Sequence, residues 1–190
     1  MSLNKYPPSH YLTHLSLCGI LGIVTELFAA CLLYFVLTPF QDVAVQYQGE
    51  IADKLNDGIE SFMAVVVVSP LIEETIYRFL ILGIGERFLG FAAANVIQAA
   101  LFGILHLNPV QSIYAFLLGL LIGVLGKYSG TVAACIVFHV IFNLTGYLSD
   151  RYLPGEMSVY IRCIVMLISL AAGVYVFMMI RRKRCEQRTV

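Results

Sequence analysis

Long apolar runs joined by short polar segments dominate this chain. A helix crossing a bilayer needs about 20 mostly apolar residues. Six stretches meet that length: 15–37, 59–84, 88–107, 110–128, 131–148 and 160–180. The joints between them are short, except for a polar, acidic stretch over 41–60. No internal repeat, low-complexity tract or second unit interrupts the pattern. It predicts an all-α, polytopic transmembrane helical bundle of about six spans, with residues 1–190 forming a single transmembrane domain.

Composition sharpens that reading. Of 190 residues, 59% are hydrophobic and only 13% are charged, whereas soluble domains are about half apolar and about a quarter charged. The chain is expected to be an integral membrane protein with lipid as its surroundings and no nucleic-acid partner. With no Trp, any aromatic belt must be built from Tyr and Phe. The five cysteines (Cys18, Cys31, Cys135, Cys163 and Cys185) are odd in number and lack CxxC spacing. They indicate neither a disulfide framework nor a thiolate metal site and read as small packing residues. The first apolar run is too long for a signal-peptide core and has only Lys5 before it, so it reads as a first span or signal anchor.

Charge placement sets the expected orientation. Six spans put both ends on one side, and the run Arg181-Arg182-Lys183-Arg184 with Arg188 makes that side cytoplasmic. Lys5, Arg87 and Lys127 join it, giving eight positives inside against Lys54, Arg151 and Arg162 outside, with Arg78 inside a span. The predicted location is the cell membrane, multi-pass, with both termini cytoplasmic. Attraction of the basic run to anionic lipid is compatible with this.

The second span is interrupted at Ser69-Pro70. Two readings stand. A helix can restart there, with Ser as cap and Pro in the first turn, beside a cavity that tolerates broken backbone. Alternatively, Pro70 makes a plain kink.

Three polar pieces lie inside the apolar runs: Glu73-Glu74-x-x-x-Arg78, Phe102-x-x-x-His106 and His139-x-x-x-Asn143. An ionisable side chain at bilayer depth costs roughly 2.5–3.5 kcal/mol on insertion scales, so such clusters point to function. Residues four apart share a helix face. Glu74 and Arg78 are therefore expected to pair, leaving Glu73 as a carboxylate without a local partner, the position a general base needs. Phe102 offers His106 an apolar wall. Asn143 beside His139 supplies an amide donor suited to a developing oxyanion. Glu73 and His106 would hold and deprotonate a water; His139 and Asn143 would stabilise the tetrahedral intermediate. Each residue also has a plainer reading, since buried His and Asn are commonly interhelical glue. His10 and His14 read as interfacial, and Glu26 as structural or lumen-facing.

In this order the pieces resemble the CAAX prenyl protease and bacteriocin-processing (CPBP, or Abi) intramembrane proteases. The signature EExxxR, FxxxH and HxxxN appears as EETIYR, FGILH and HVIFN, and the resemblance covers a four-helix catalytic core at 59–148. It implies an endopeptidase acting on a membrane-associated peptide, prenylated or of bacteriocin or pheromone type. By position, Glu73 is the water-activating base, His106 its partner, His139 and Asn143 the oxyanion site, with Glu74, Arg78 and Phe102 supporting. Such a protein takes a peptide or lipidated peptide as substrate and can have a membrane protein partner. Zinc on Glu73, His106 and His139 is the metal alternative. HExxH is absent, and a metal-independent glutamate mechanism is favoured. Two other classes remain open: a non-catalytic scaffold for bacteriocin self-immunity or sensor-kinase regulation, and a small transporter, although the inverted halves of transporters are not visible. Counted along straight spans, the two motif histidines fall on the order of 15 Å apart in depth, a mismatch that tilted helices, the break at Pro70 or a later start of the third span would absorb.

Overall fold

The computed structural model describes residues 8–55, 58–152 and 157–186, and among them every regular element is helical. Helix α1 (Pro8–Leu37) leads through a tight turn into α2 (Gln41–Leu55). A broken arm follows: α3 (Ile59–Met63), a π-helical stretch π1 (Ala64–Val68), α4 (Ser69–Glu74) and a second stretch π2 (Thr75–Leu82). Helices α5 (Gly83–Ile104), α6 (Pro109–Ser129), α7 (Val132–Tyr152) and α8 (Val159–Glu186) complete the order. Lys5, Arg188 and the side chains of His10, Lys183, Arg184 and Cys185 lie outside what is described.

Four helical stretches are long and apolar enough to cross a bilayer: Leu12–Leu37, Pro109–Ser129, Val132–Tyr152 and Val159–Arg182. They stand in one α-helical, membrane-embedded bundle. The other two stretches that the hydropathy pattern singled out are realised in pieces. One is the α3–π2 arm. The other bends at Gly90, whose φ of 74° and ψ of 163° only glycine adopts readily. Beyond the bend, 91–104 is a straight arm of about 21 Å at 1.5 Å per residue. Large apolar residues such as Phe88, Ile113, Leu167 and Ile168 point outward, which in water would be an aggregation hazard and in lipid is the expected exterior.

The core has two parts. The larger joins α1, α6, α7 and α8 through Leu17, Cys18, Leu21, Ile122, Leu125, Cys135, Phe138, Val176 and Ile180. Cys18, Cys31 and Cys135 are buried free thiols, in keeping with a packing role. His14, expected at an interface, is instead buried at 5% exposure. The reason is that the start of α1 packs against its neighbours. The Glu26 carboxylate lies against α7, where a Cβ on Gly146 would come within 3.0 Å of its Oε1. The smaller core, Tyr77, Phe102 and Ala115 with Ile81, sits between π2, α5 and α6. Small residues let those helices close up, as is usual in lipid. A Cβ on Gly123 would come within 1.7 Å of Asn95 Oδ1, and one on Gly103 within 2.6 Å of the Ser112 carbonyl.

The stretch 41–60 is the main departure from the sequence expectation, which treated it as a polar connection. Most of it is helix α2, laid against the start of α6 by polar contacts. Tyr47 and Tyr114 hydroxyls lie 3.4 Å apart, Lys54 Nζ donates to Gln111 Oε1 at 3.2 Å, and Asn108 Nδ2 donates to Glu50 Oε2 at 2.6 Å. Asn108 also caps α6, its Oδ1 accepting from Gln111 N at 2.9 Å. Hydrogen bonds from Asn108 and then Gln46 hold the Glu50 carboxyl below its ordinary value of 4.5. A carboxylate lowered in this way supports docking above the ordinary value and loses that support as pH falls through the lowered one. Cleavage within α2 in limited proteolysis is therefore expected to rise as pH drops below 4.5, and Glu50→Gln should remove that dependence. A flat cleavage profile for the unaltered protein would contradict the latch.

Candidate active site

The glutamate pair ends α4, between the two π-helical stretches. Such turns are uncommon and recur at functional sites, and here the sequence explains the first one. In π1 a carbonyl accepts from the N–H five residues on, as Ala64 O does from Ser69 N. The corresponding partner of Val65 is residue 70, a proline with no N–H. Asn143 of α7 meets that orphaned carbonyl, its Nδ2 donating to Val65 O at 3.0 Å. A buried carbonyl without a donor is costly, so Asn143 ties α7 to the break that presents both glutamates. Of the two readings of Pro70, the structure shows a helix that continues through it with altered winding.

Glu74 turns inward and is fully buried. Its Oε1 accepts from His139 Nδ1 at 2.8 Å, and its Oε2 lies 3.0 Å from Arg78 Nε in an ion pair. The i,i+4 pairing read from the sequence is present. What the sequence did not reveal is the rest of the chain of contacts. Arg78 Nη1 donates to Gln98 Oε1 at 2.5 Å, Gln98 Nε2 donates to Asn95 Oδ1 at 2.8 Å and to the Gly119 carbonyl at 3.0 Å, and Asn95 Nδ2 donates to Leu120 O at 3.1 Å. Gln98 and Asn95 lie on one face of α5, three residues apart, and that spacing was the available signal. The network clamps α4, π2, α5, α6 and α7 together around one buried charge pair.

Glu73 turns the other way. Its side chain keeps 27% exposure, and His139 Nε2 lies 3.8 Å from its Oε2. His139 thus stands between the two carboxylates, donating from Nδ1 to Glu74 and turning its other nitrogen toward Glu73. A buried carboxylate on one ring nitrogen fixes which tautomer the imidazole adopts.

His106 sits in the turn after α5 rather than on the helix. Its Nδ1 donates to the Phe102 carbonyl at 2.7 Å, which leaves Nε2 as the acceptor nitrogen of the neutral ring. Leu107 next to it has φ 58°, a left-handed conformation costing on the order of 1–2 kcal/mol for a residue with a side chain. That reversal turns the chain from α5 into the Asn108 cap. Phe102, almost fully buried, is the hub of the site. Its ring centroid lies 4.9 Å from that of His106, 5.8 Å from His139 and 5.1 Å from Tyr77, with the Arg78 guanidinium 5.1 Å away. Both histidines thus lie against one ring, closer together than straight spans imply. The bend at Gly90 delays and shortens the arm that carries His106.

Lys54, Glu73, Tyr77, Phe102, Leu105 and His106 line one cavity of about 210 Å³. Two predicted site residues, Glu73 and His106, thus share a wall with the predicted support Phe102. His139 and Asn143 are not part of that lining; His139 lies beside Glu73, and Asn143 one turn further along α7 meets Val65. Lys54 and Tyr77 were not anticipated, Lys54 because 41–60 read as a connection and Tyr77 because an aromatic ring in an apolar span carries no distinguishing signal.

Metal is a separate question. Among the described residues no three His, Cys, Asp or Glu side chains come together as a donor set. His139 Nδ1 and His106 Nδ1 are both engaged by protein acceptors, which leaves each Nε2 as the nitrogen that would face a ligand. Glu73, His106 and His139 are donor types that zinc takes, but among the described residues they are not brought together as one set.

No curated protein and no solved structure matches the chain. Residues 57–145 match the family described as type II CAAX prenyl endopeptidase Rce1-like. That segment holds EExxxR, FxxxH and HxxxN in order, on elements that converge around Phe102, and over it the chain is similar to the CAAX protease family.

Proposed function

We propose that the protein is an intramembrane endopeptidase that hydrolyses a peptide bond of a membrane-associated or lipidated peptide. The observation that carries this reading is the shared cavity of Glu73 and His106, backed by the His139–Glu74–Arg78 chain. A water between the Glu73 carboxylate and His106 Nε2 gives its proton to Glu73 as its oxygen attacks the scissile carbonyl. Glu73 then returns that proton to the leaving amine. The negative charge that develops on the carbonyl oxygen is met from α7, by the second amide hydrogen of Asn143 and by His139 in its imidazolium form, which donates from Nε2 as well as from Nδ1. Preorganised donors of this kind are usually the largest single contribution to such a step. Glu74 and Arg78 hold His139 rather than touch substrate. In this reading the step is metal-independent.

The basic end of the bundle is the cytoplasmic one in this reading. The direct test incubates purified protein in lipid vesicles with prenylated and unmodified peptides, with and without chelator, and follows products by mass spectrometry. Cleavage that survives chelation is expected. Peptides that remain intact throughout would remove the enzymatic reading, and cleavage that stops with chelator would restore a metal.

A further inference from the structure

The cavity lies at one end of the bundle, and the charges divide between the two ends. Helix α2 with its latch to Asn108 and Gln111, the turn bearing His106, and the start of α8 share the cavity's end. Arg162 of α8 stacks there on Tyr34, near the end of α1, with its guanidinium 4.0 Å from the ring centre. Among the described residues that end carries Lys54, Arg151 and Arg162 beside Asp42, Glu50, Asp53, Glu60 and Asp150. The opposite end is basic. Lys127 lies 3.9 Å over the Phe91 ring and Arg181 lies 5.1 Å over Tyr128. These contacts gather the bend of α5, the end of α6 and the end of α8. Among the described side chains that end carries Arg87, Lys127, Arg181 and Arg182 beside Glu86, and the sequence adds Lys183, Arg184 and Arg188 with Glu186.

Lys and Arg in short loops and near span ends are retained on the cytoplasmic side. We propose that the cavity opens away from the cytoplasm. Its substrate is then a peptide presented from the extracytoplasmic side, either exported or projecting from the outer leaflet, and it reaches Glu73 past α2 and Lys54. The topology is independent of the endopeptidase reading, on which the identity of the substrate rests.

The two are separable by experiment. In a chain with its five native cysteines replaced by alanine, Gln48→Cys on α2 and Leu89→Cys at the basic end are exposed positions. With a membrane-impermeant maleimide on sealed cells, Gln48→Cys is expected to label, and Leu89→Cys to label only after permeabilisation. The reverse pattern overturns the proposal. Should the cysteine replacements impair folding, fluorescent-protein fusions after Val190 of the otherwise unaltered chain report the same topology. Fluorescence from a cytoplasmic fusion supports it, and a dark, exported fusion overturns it. For the substrate, a water-soluble peptide added to sealed right-side-out vesicles should be cleaved, with loss of cleavage in inside-out ones. Cleavage confined to inside-out vesicles overturns the assigned face. Extracytoplasmic labelling with no cleavage in either orientation sustains the topology and defeats the protease.

Discussion

Glu73→Gln is expected to lower the rate of peptide cleavage by about 10²- to 10⁴-fold, the usual contribution of a positioned general base. Glutamine keeps the shape and the partial exposure of the side chain but accepts no proton from water. Glu73 is not part of the buried clamp, so the variant should insert and keep the thermal stability of the unaltered protein in detergent. Substrate affinity should change little, because the loss falls on the chemical step. His106→Ala is expected to behave alike, since its ring packs on Phe102 from the turn and not from within the core. Undiminished cleavage by both variants would show that the cavity between them is not where water is activated. Retained peptide binding with no cleavage by the unaltered protein would instead favour a scaffold.

Arg78→Leu is expected to produce the largest loss of stability, about 3–5 kcal/mol, the range for leaving one member of a buried ion pair uncompensated. Glu74 is fully buried and Arg78 nearly so, so neither can turn to water when the other is lost. Gln98 would also lose the donor to its Oε1. The measurement is a thermal or denaturant unfolding midpoint in a fixed detergent. The double replacement Glu74→Leu with Arg78→Leu removes both charges and should recover part of that loss. Activity should not return, because His139 Nδ1 would have no carboxylate to donate to. A single variant as stable as the unaltered protein would mean that water reaches the pair and that the clamp carries little.

The two outcomes differ because the two glutamates, adjacent in sequence, face opposite ways. Neighbouring helical residues point about 100° apart, so an EE pair can serve a core and a cavity at once. The spacing from Glu74 to Arg78 already assigned the inward partner, and the structure agrees. Which carboxylate lines a cavity could not be read from spacing, since that depends on what packs opposite. Asn143 illustrates the same limit. As a residue one turn from His139 it reads as a donor for chemistry, yet its amide first meets the Val65 carbonyl left bare by Pro70. The proline and the asparagine are 73 positions apart, and nothing local in either segment links them.

The amino-acid sequence alone determined the all-α membrane bundle, because 20-residue apolar runs have few other uses, and it carried the family resemblance over 57–145, because three polar signatures in order stand out against lipid-facing background. It also contained the Glu74–Arg78 pair, a contact set by helical periodicity. Only the tertiary structure decided that the third arm bends at Gly90, that 41–60 forms a helix beside the cavity, and that Gln98 and Asn95 anchor the buried charges. These depend on which surfaces meet across distant segments: a backbone approach permitted by a glycine, an orphaned carbonyl matched by a remote amide, a ring on which two histidines converge.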